Sequence, residues 1–224
     1  MIPQLRYGPY VPGEEHLKLI GNVAGLQCAD LGCGMGDNAI ALAEALGNVV
    51  GVDIDSDCLR EAEAHAAVTR VDGVYWRKAD INNWLSDQPP ASFDLLLACN
   101  SLPYLDDPEA TLKAAHLVLK YDGRLVLAQD HPLNTITYHD GHRLAVRRSY
   151  FDQGVERWTS PSGNHMLWRN EPLSAWHRMF RQAGFAVDSM HEPEPVAEER
   201  YTSDSDFKKL SMMPATIIWV CKKQ

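Results

Sequence analysis

The sequence predicts a doubly wound α/β domain, and three observations carry that expectation. Short runs rich in Val, Leu and Ile alternate with helix-period segments from residue 26 to about 128. Those runs are too apolar for strands with one wet face, so helices must cover both sides of a parallel sheet. A glycine-rich turn, Gly32-Cys33-Gly34-Met35-Gly36, joins the first run to the first helical pattern, at the edge where such sheets collect ligands. At 224 residues, with 45% hydrophobic and 23% charged side chains, the chain suits a single domain, 1–224, with a full core.

Strands are expected at 26–31, 49–54, 74–78, 93–99 and 124–129. Between them Ala39, Ile40, Leu42, Ala43 and Leu46 keep a helical period, as do Leu59, Ala62 and Ala66 after Ser56 as a cap. A third helix opens at Asp107-Pro108-Glu109: Asp107 can accept backbone donors and Pro108 fits the first helical position. Its stripe is Leu112, Ala115 and Leu119, with Gly123 past its end. Beyond Gln129 no period is sustained, and 130–172 reads as a cap insertion over the substrate side. A helix over 173–183 turns Ala175, Met179, Phe180 and Ala183 inward. Strands at 185–190 and 215–221 follow, separated by a charged, solvated loop over 192–211.

The 21 basic and 30 acidic side chains leave a formal charge of -9, which repels phosphate backbones and anionic lipid, so nucleic acid, RNA included, is a poor partner. Five cysteines without a C-x-x-C pair suggest neither a disulfide framework nor a zinc cluster, and point to a reducing compartment. There is no apolar signal core and no run of the roughly 20 apolar residues that spans a bilayer. A soluble cytoplasmic protein is expected, and its oligomeric state is not legible.

Glycines at every second position let the 32–36 backbone turn tightly and approach a ligand closely. Gly34, Gly36 and Ala39 also satisfy G-x-G-x-x-A, which keeps an NAD(P)-dependent oxidoreductase open. Charge separates the readings. Asp30 stands just ahead of the glycines, where it repels a pyrophosphate and attracts an ammonium group. Asp53 ends the second strand, in Val49-Val50-Gly51-Val52-Asp53, where a carboxylate can hold two ribose hydroxyls. Asp80 ends the third.

Asp30 to Gly36, Asp53, Asp80, Phe93-Asp94-Leu95-Leu96-Leu97-Ala98-Cys99-Asn100-Ser101-Leu102 and Gly123-Arg124-Leu125-Val126-Leu127 together resemble the class I S-adenosylmethionine-dependent methyltransferases, most of all the bacterial small-molecule group. The resemblance implies a Rossmann-like sheet of about seven strands, the last antiparallel. It implies S-adenosyl-L-methionine as cofactor, S-adenosyl-L-homocysteine as product, and an O, N or C nucleophile on a small molecule as acceptor. Gly32, Gly34 and Gly36 would face the methionine and ribose, with Asp30 orienting that end and Asn100 beside the ammonium. Asp53 would bind the ribose hydroxyls, Ile54 would pack on the adenine, Asp80 would accept from its amine, and Ile81 would offer its amide. Tyr7, in Tyr7-Gly8-Pro9-Tyr10 ahead of a helix around Leu17 and Ile20, would close over the methionine end. A non-catalytic S-adenosylmethionine-binding module is the other alternative.

Methyl transfer is an in-line displacement that needs the nucleophile roughly 3 Å from the methyl, and a base only when a proton must leave. No metal is required, and His139-Asp140-Gly141-His142 reads as an exposed turn at least as well as a metal pair. His131, after the fifth strand and before Pro132, is the candidate base. Tyr138, Tyr150 and His165 are candidate substrate contacts, alongside Phe151, Trp158 and Trp168. Arg147, Arg148, Arg157 and Arg169 could hold an anion or be solvated surface. Where the resembling group often carries His-Arg, this chain reads Asn170-Glu171-Pro172-Leu173, which leaves the substrate open.

Overall fold

In the computed structural model, which describes residues 2–152, 154–159, 163–196 and 208–224, the apolar runs become β1 (Gln27–Leu31), β2 (Asn48–Asp53), β3 (Val74–Lys78), β4 (Phe93–Cys99) and β5 (Leu119–Asp130). Four short strands follow, β6 (Thr137–His139), β7 (Leu144–Val146), β8 (Val155–Thr159) and β9 (His165–Arg169), and then β10 (Phe185–His191) and β11 (Thr216–Lys223). The main sheet has seven strands in the order β10-β11-β5-β4-β1-β2-β3. Strands β1 to β5 are mutually parallel, and β11 runs antiparallel to both β5 and β10. Strand order reverses at β1, which has β2 on one side and β4 on the other; a crevice opens there at the carboxyl ends.

Helices α1 (Glu14–Leu17), α2 (Asp37–Glu44), α3 (Ser56–Thr69), α4 (Ile81–Ser86), α5 (Pro108–Val118), α6 (Pro132–Ile136) and α7 (Leu173–Gln182) complete the architecture. Each sheet face has its own core. Alternation along β5 divides them, Leu125 and Leu127 joining Trp84, Leu112, Trp176 and Phe180, while Val126 and Ala128 join Leu5, Ile20, Ala39 and Leu42. Each fully buried side chain of that size contributes about 1.5–3 kcal/mol. Among the described residues no helix is long and apolar enough to cross a membrane.

Several expectations are corrected. Helix α2 stops at Glu44, and Leu46, expected on its apolar face, is 73% exposed. There the amides of Leu46 and Gly47 bond back to the carbonyls of Ala43 and Leu42, and Leu46 takes φ 65°, a left-handed helix stop. Leu119 opens β5 instead of extending α5, and β5 runs through Gly123. Asp55, not Ser56, caps α3, accepting from the amides of Asp57 at 2.8 Å and Cys58 at 3.4 Å. Strand β3 is the sheet edge, so Tyr75 stays exposed. Ile20 lies beyond the short α1 and is buried. Helix α4 was not foreseen, because six residues are too few to display a period. In the expected loop, 208–210 are helical and Leu210 is buried; 197–207 lie outside the described residues.

Candidate functional site

The crevice begins at the glycine turn. Gly32 takes φ 76°, and a Cβ there would lie 2.4 Å from the Cβ of Ser101, so only glycine fits. Four of the turn's five amides are committed within the protein. Gly32 and Cys33 donate to the Val52 carbonyl, Gly36 donates to that of Cys33, and Gly34 donates to Asp53 Oδ2 at 2.8 Å. Gly36 departs from its expected role: a Cβ on it would lie 2.5 Å from the Trp76 ring, so it is small to let α2 pack on β3. Gly34 has no such neighbour, and its part is the amide that orients Asp53.

Two cavities flank the turn and share Gly32 and Asn100. The first, about 550 Å³, is lined by Arg6, Gly8, Asp30, Cys33 and Asn38 among others. Asp30 is 2% exposed, and its Oδ2 has no hydrogen-bond partner. Burial, reinforced by the charge of Asp53, pushes its carboxyl up to about 7. A backbone hydrogen bond from Ala39 offsets part of that rise, and the second oxygen, buried and without a partner, is left to receive a cation or donor. Asn100 lines both cavities from the end of β4; it takes φ 53°, which Asn tolerates, and its amide donates to the Ala128 carbonyl at 2.7 Å.

The second cavity, about 440 Å³, gathers Asp53, Ile54, Asp80, Ile81 and His165. Asp53 accepts from the Asp55 amide at 2.9 Å as well as from Gly34, which fixes its carboxylate at the end of β2. Asp80 caps α4, accepting from the Asn83 amide at 3.0 Å. Ser101, Tyr104, Leu105, Met166 and Leu167 also line this cavity and were not foreseen. The legible signal was the turn at Leu102–Tyr104 directly after the fourth-strand segment. On the cap side, Asn164 donates to Asp55 at 3.2 Å, which ties the β8–β9 hairpin to the start of α3.

Tyr7 does not line the cavity. It is fully buried, its hydroxyl donates to Glu14, and burial with that neighbouring carboxylate raises it far above the usual phenol range. Its neighbours Arg6 and Gly8 line the cavity instead. Asn38, also missed, clamps that segment: it accepts from the Arg6 amide and donates to the Arg6 carbonyl, both at 2.9 Å.

His131 is corrected as well. It is 2% exposed and caps α6, its Nδ1 accepting from the Leu133 amide at 3.1 Å and its Nε2 bonded to Glu192 Oε1 at 2.8 Å. Burial lowers its pKa, and both ring nitrogens are occupied, so it has no position open for an acceptor's proton. Tyr138 is exposed on β6, outside both cavities, and Tyr150 accepts from the Leu173 amide at 3.2 Å. Asp140 accepts from the amides of His142 and Arg143, the exposed-turn reading of that motif. Arg169 donates to the carbonyls of Leu105 and Asp106, while Arg148 pairs with Glu156 at 2.8 Å.

One elongated crevice thus offers a buried carboxylate at one end and two strand-end carboxylates with an apolar neighbour, Ile54, at the other. That donor set fits S-adenosylmethionine, which carries an ammonium group at its amino-acid end, a cationic sulfur, and a nucleoside end. Residues 28–123 match the family described as "Methyltransferase domain". An uncharacterized protein of Haemophilus influenzae is 22% identical over 92% of this chain and 85% of its own length. A ubiquinone biosynthesis O-methyltransferase of Albidiferax ferrireducens is 32% identical over 45% of this chain, but only 40% of the relative's length is covered. The crystal structure of an S-adenosylmethionine-dependent methyltransferase from Mesorhizobium loti superposes with a TM-score of 0.74 at 21% identity, covering 92% of this chain and 94% of that one.

Proposed function

We propose, from the match of residues 28–123 to the methyltransferase domain family and from a fold shared with an S-adenosylmethionine-dependent methyltransferase, that the chain transfers a methyl group from S-adenosylmethionine to a small-molecule acceptor. When bound, the cofactor supplies an electrophilic methyl on a cationic sulfur. The chain's own residues bind and orient. Asp30 takes the ammonium end, Asn100 and Gly32 hold the middle of the crevice, and Asp53, with Ile54 and Asp80, holds the nucleoside. A small-molecule acceptor agrees with the name of the curated relative and with the net charge of -9.

The observation that carries this reading is the orphaned, buried Asp30 oxygen just ahead of a turn in which the amides of Gly32, Cys33, Gly34 and Gly36 are already spent. A dinucleotide's pyrophosphate needs those amides and would meet the Asp30 charge, so the G-x-G-x-x-A match does not translate into a phosphate cradle. Calorimetry with S-adenosylhomocysteine and NAD tests the choice. Micromolar binding of the first without the second is expected, and preference for NAD overturns the reading. Transfer of an isotopically labelled methyl into a metabolite extract then separates an enzyme from a binding module.

A further inference from the structure

Two more cavities border the crevice. One, about 360 Å³, is lined by Tyr104, Asp130, Asn134, Arg147, Trp158 and Trp168, with Glu156 at its wall. The other, about 220 Å³, is lined by Pro9, Tyr10, Asp130, Asn134 and Lys209. Asp130 and Asn134 belong to both, Tyr104 also lines the nucleoside cavity, and Pro9 also lines the Asp30 cavity. Asp130, the last residue of β5, is therefore the carboxylate common to the space next to the cofactor crevice.

We propose that these joined cavities hold the methyl acceptor as a neutral, planar, hydroxylated ring, and that the Asp130 carboxylate receives the proton of the reacting hydroxyl. The proposal rests on the methyltransferase reading above and names its acceptor class.

Charge decides the class. Arg147 and Lys209 balance Asp130 and Glu156 in the lining, so an ion of either sign meets a like charge as well as an opposite one and gains no net attraction. A neutral ring meets no like charge. Trp158 is 44% exposed although it packs edge-on to Tyr104 at 6.0 Å, which leaves indole surface for a flat ring. Arg148 lies 4.9 Å over the Trp168 ring and pairs with Glu156, which stiffens that wall. Asp130 is half-buried, and burial raises its carboxyl while Lys209 and a hydrogen bond to Asn134 oppose the rise. A base shifted upward in this way is better able to accept a proton. In the step, the ring oxygen forms a bond to the methyl carbon as the carbon–sulfur bond breaks, sulfur keeps the electron pair, and the hydroxyl proton passes to Asp130.

The test uses 1,2-dihydroxybenzene, its dimethyl ether, benzylamine and benzoate as probes on the protein saturated with S-adenosylhomocysteine, read by calorimetry and tryptophan fluorescence. The diol is expected to bind at least tenfold tighter than the other three. Asp130→Asn, which keeps shape and removes charge, should erase most of that preference and slow labelled methyl transfer to the diol at least a hundredfold. Trp158→Ala should weaken binding of all ring probes. Retained preference in Asp130→Asn, tighter binding of benzylamine or benzoate, or no probe binding overturns the proposal. S-adenosylhomocysteine affinity, measured first in every variant, keeps the two readings apart: its absence in the native protein sinks the cofactor site, whereas its presence without diol preference sinks only the acceptor proposal.

Discussion

At the scale of single residues, the site depends on where carboxylates find partners. Asp53 is held by two amides, so its charge is fixed toward the nucleoside cavity. Asp53→Ala should cost about 1–3 kcal/mol of S-adenosylhomocysteine affinity by calorimetry, the size of a lost charge-assisted hydrogen bond. Asp30 has a pH signature. Because its folded value, about 7, lies above the unfolded 3.8, its favourable share of stability is present below pH 4 and lost as pH rises through 7. A bound ammonium reverses the penalty, so the rise in Tm on adding S-adenosylhomocysteine should be larger at pH 8 than at pH 6. Asp30→Asn should flatten that difference. His131→Ala should lower stability by about 0.5–2 kcal/mol through loss of a helix cap, with cofactor affinity unchanged. The strand-end acids were legible because their spacing is local. The closing of His131 as a base was not, since its Nε2 is taken by Glu192, 61 residues away.

Elements succeed or fail through their ends. Gly36→Ala places a methyl against Trp76 at a left-handed backbone position, so α2 must shift off β3 and Tm should fall by several degrees in a thermal melt. Asn38→Ala should leave the fold intact and weaken S-adenosylhomocysteine binding severalfold, because it frees the segment that carries Arg6 and Gly8 into the cavity. Unchanged affinity in the calorimeter would show that the clamp is purely structural. Strands β1, β2, β4 and β5 were readable because burial on both faces leaves unbroken apolar runs, whereas the β6–β7 and β8–β9 hairpins show no clean alternation, being short and poorly covered.

Across the whole molecule, ligand binding and stability are one equilibrium. A cofactor product present at a hundred times its Kd should add about 2.7 kcal/mol of stability, read as a rise in the urea midpoint with an unchanged slope. The cap hairpin takes part, since Asn164 reaches Asp55 at the rim and His165 lines the nucleoside cavity, so loss of the β8–β9 hairpin should shrink that gain. The sequence by itself determined the seven strands of the main sheet, the glycine turn and the acids at three strand ends, because each is set by neighbours within a few residues. Only the tertiary structure decided that Tyr7 turns inward while Arg6 and Gly8 line the cavity, that Glu192 takes the Nε2 of His131, and that Asp130 and Tyr104 share one space with Trp158. Those outcomes depend on which distant side chain reaches a group first, and that competition is settled by packing.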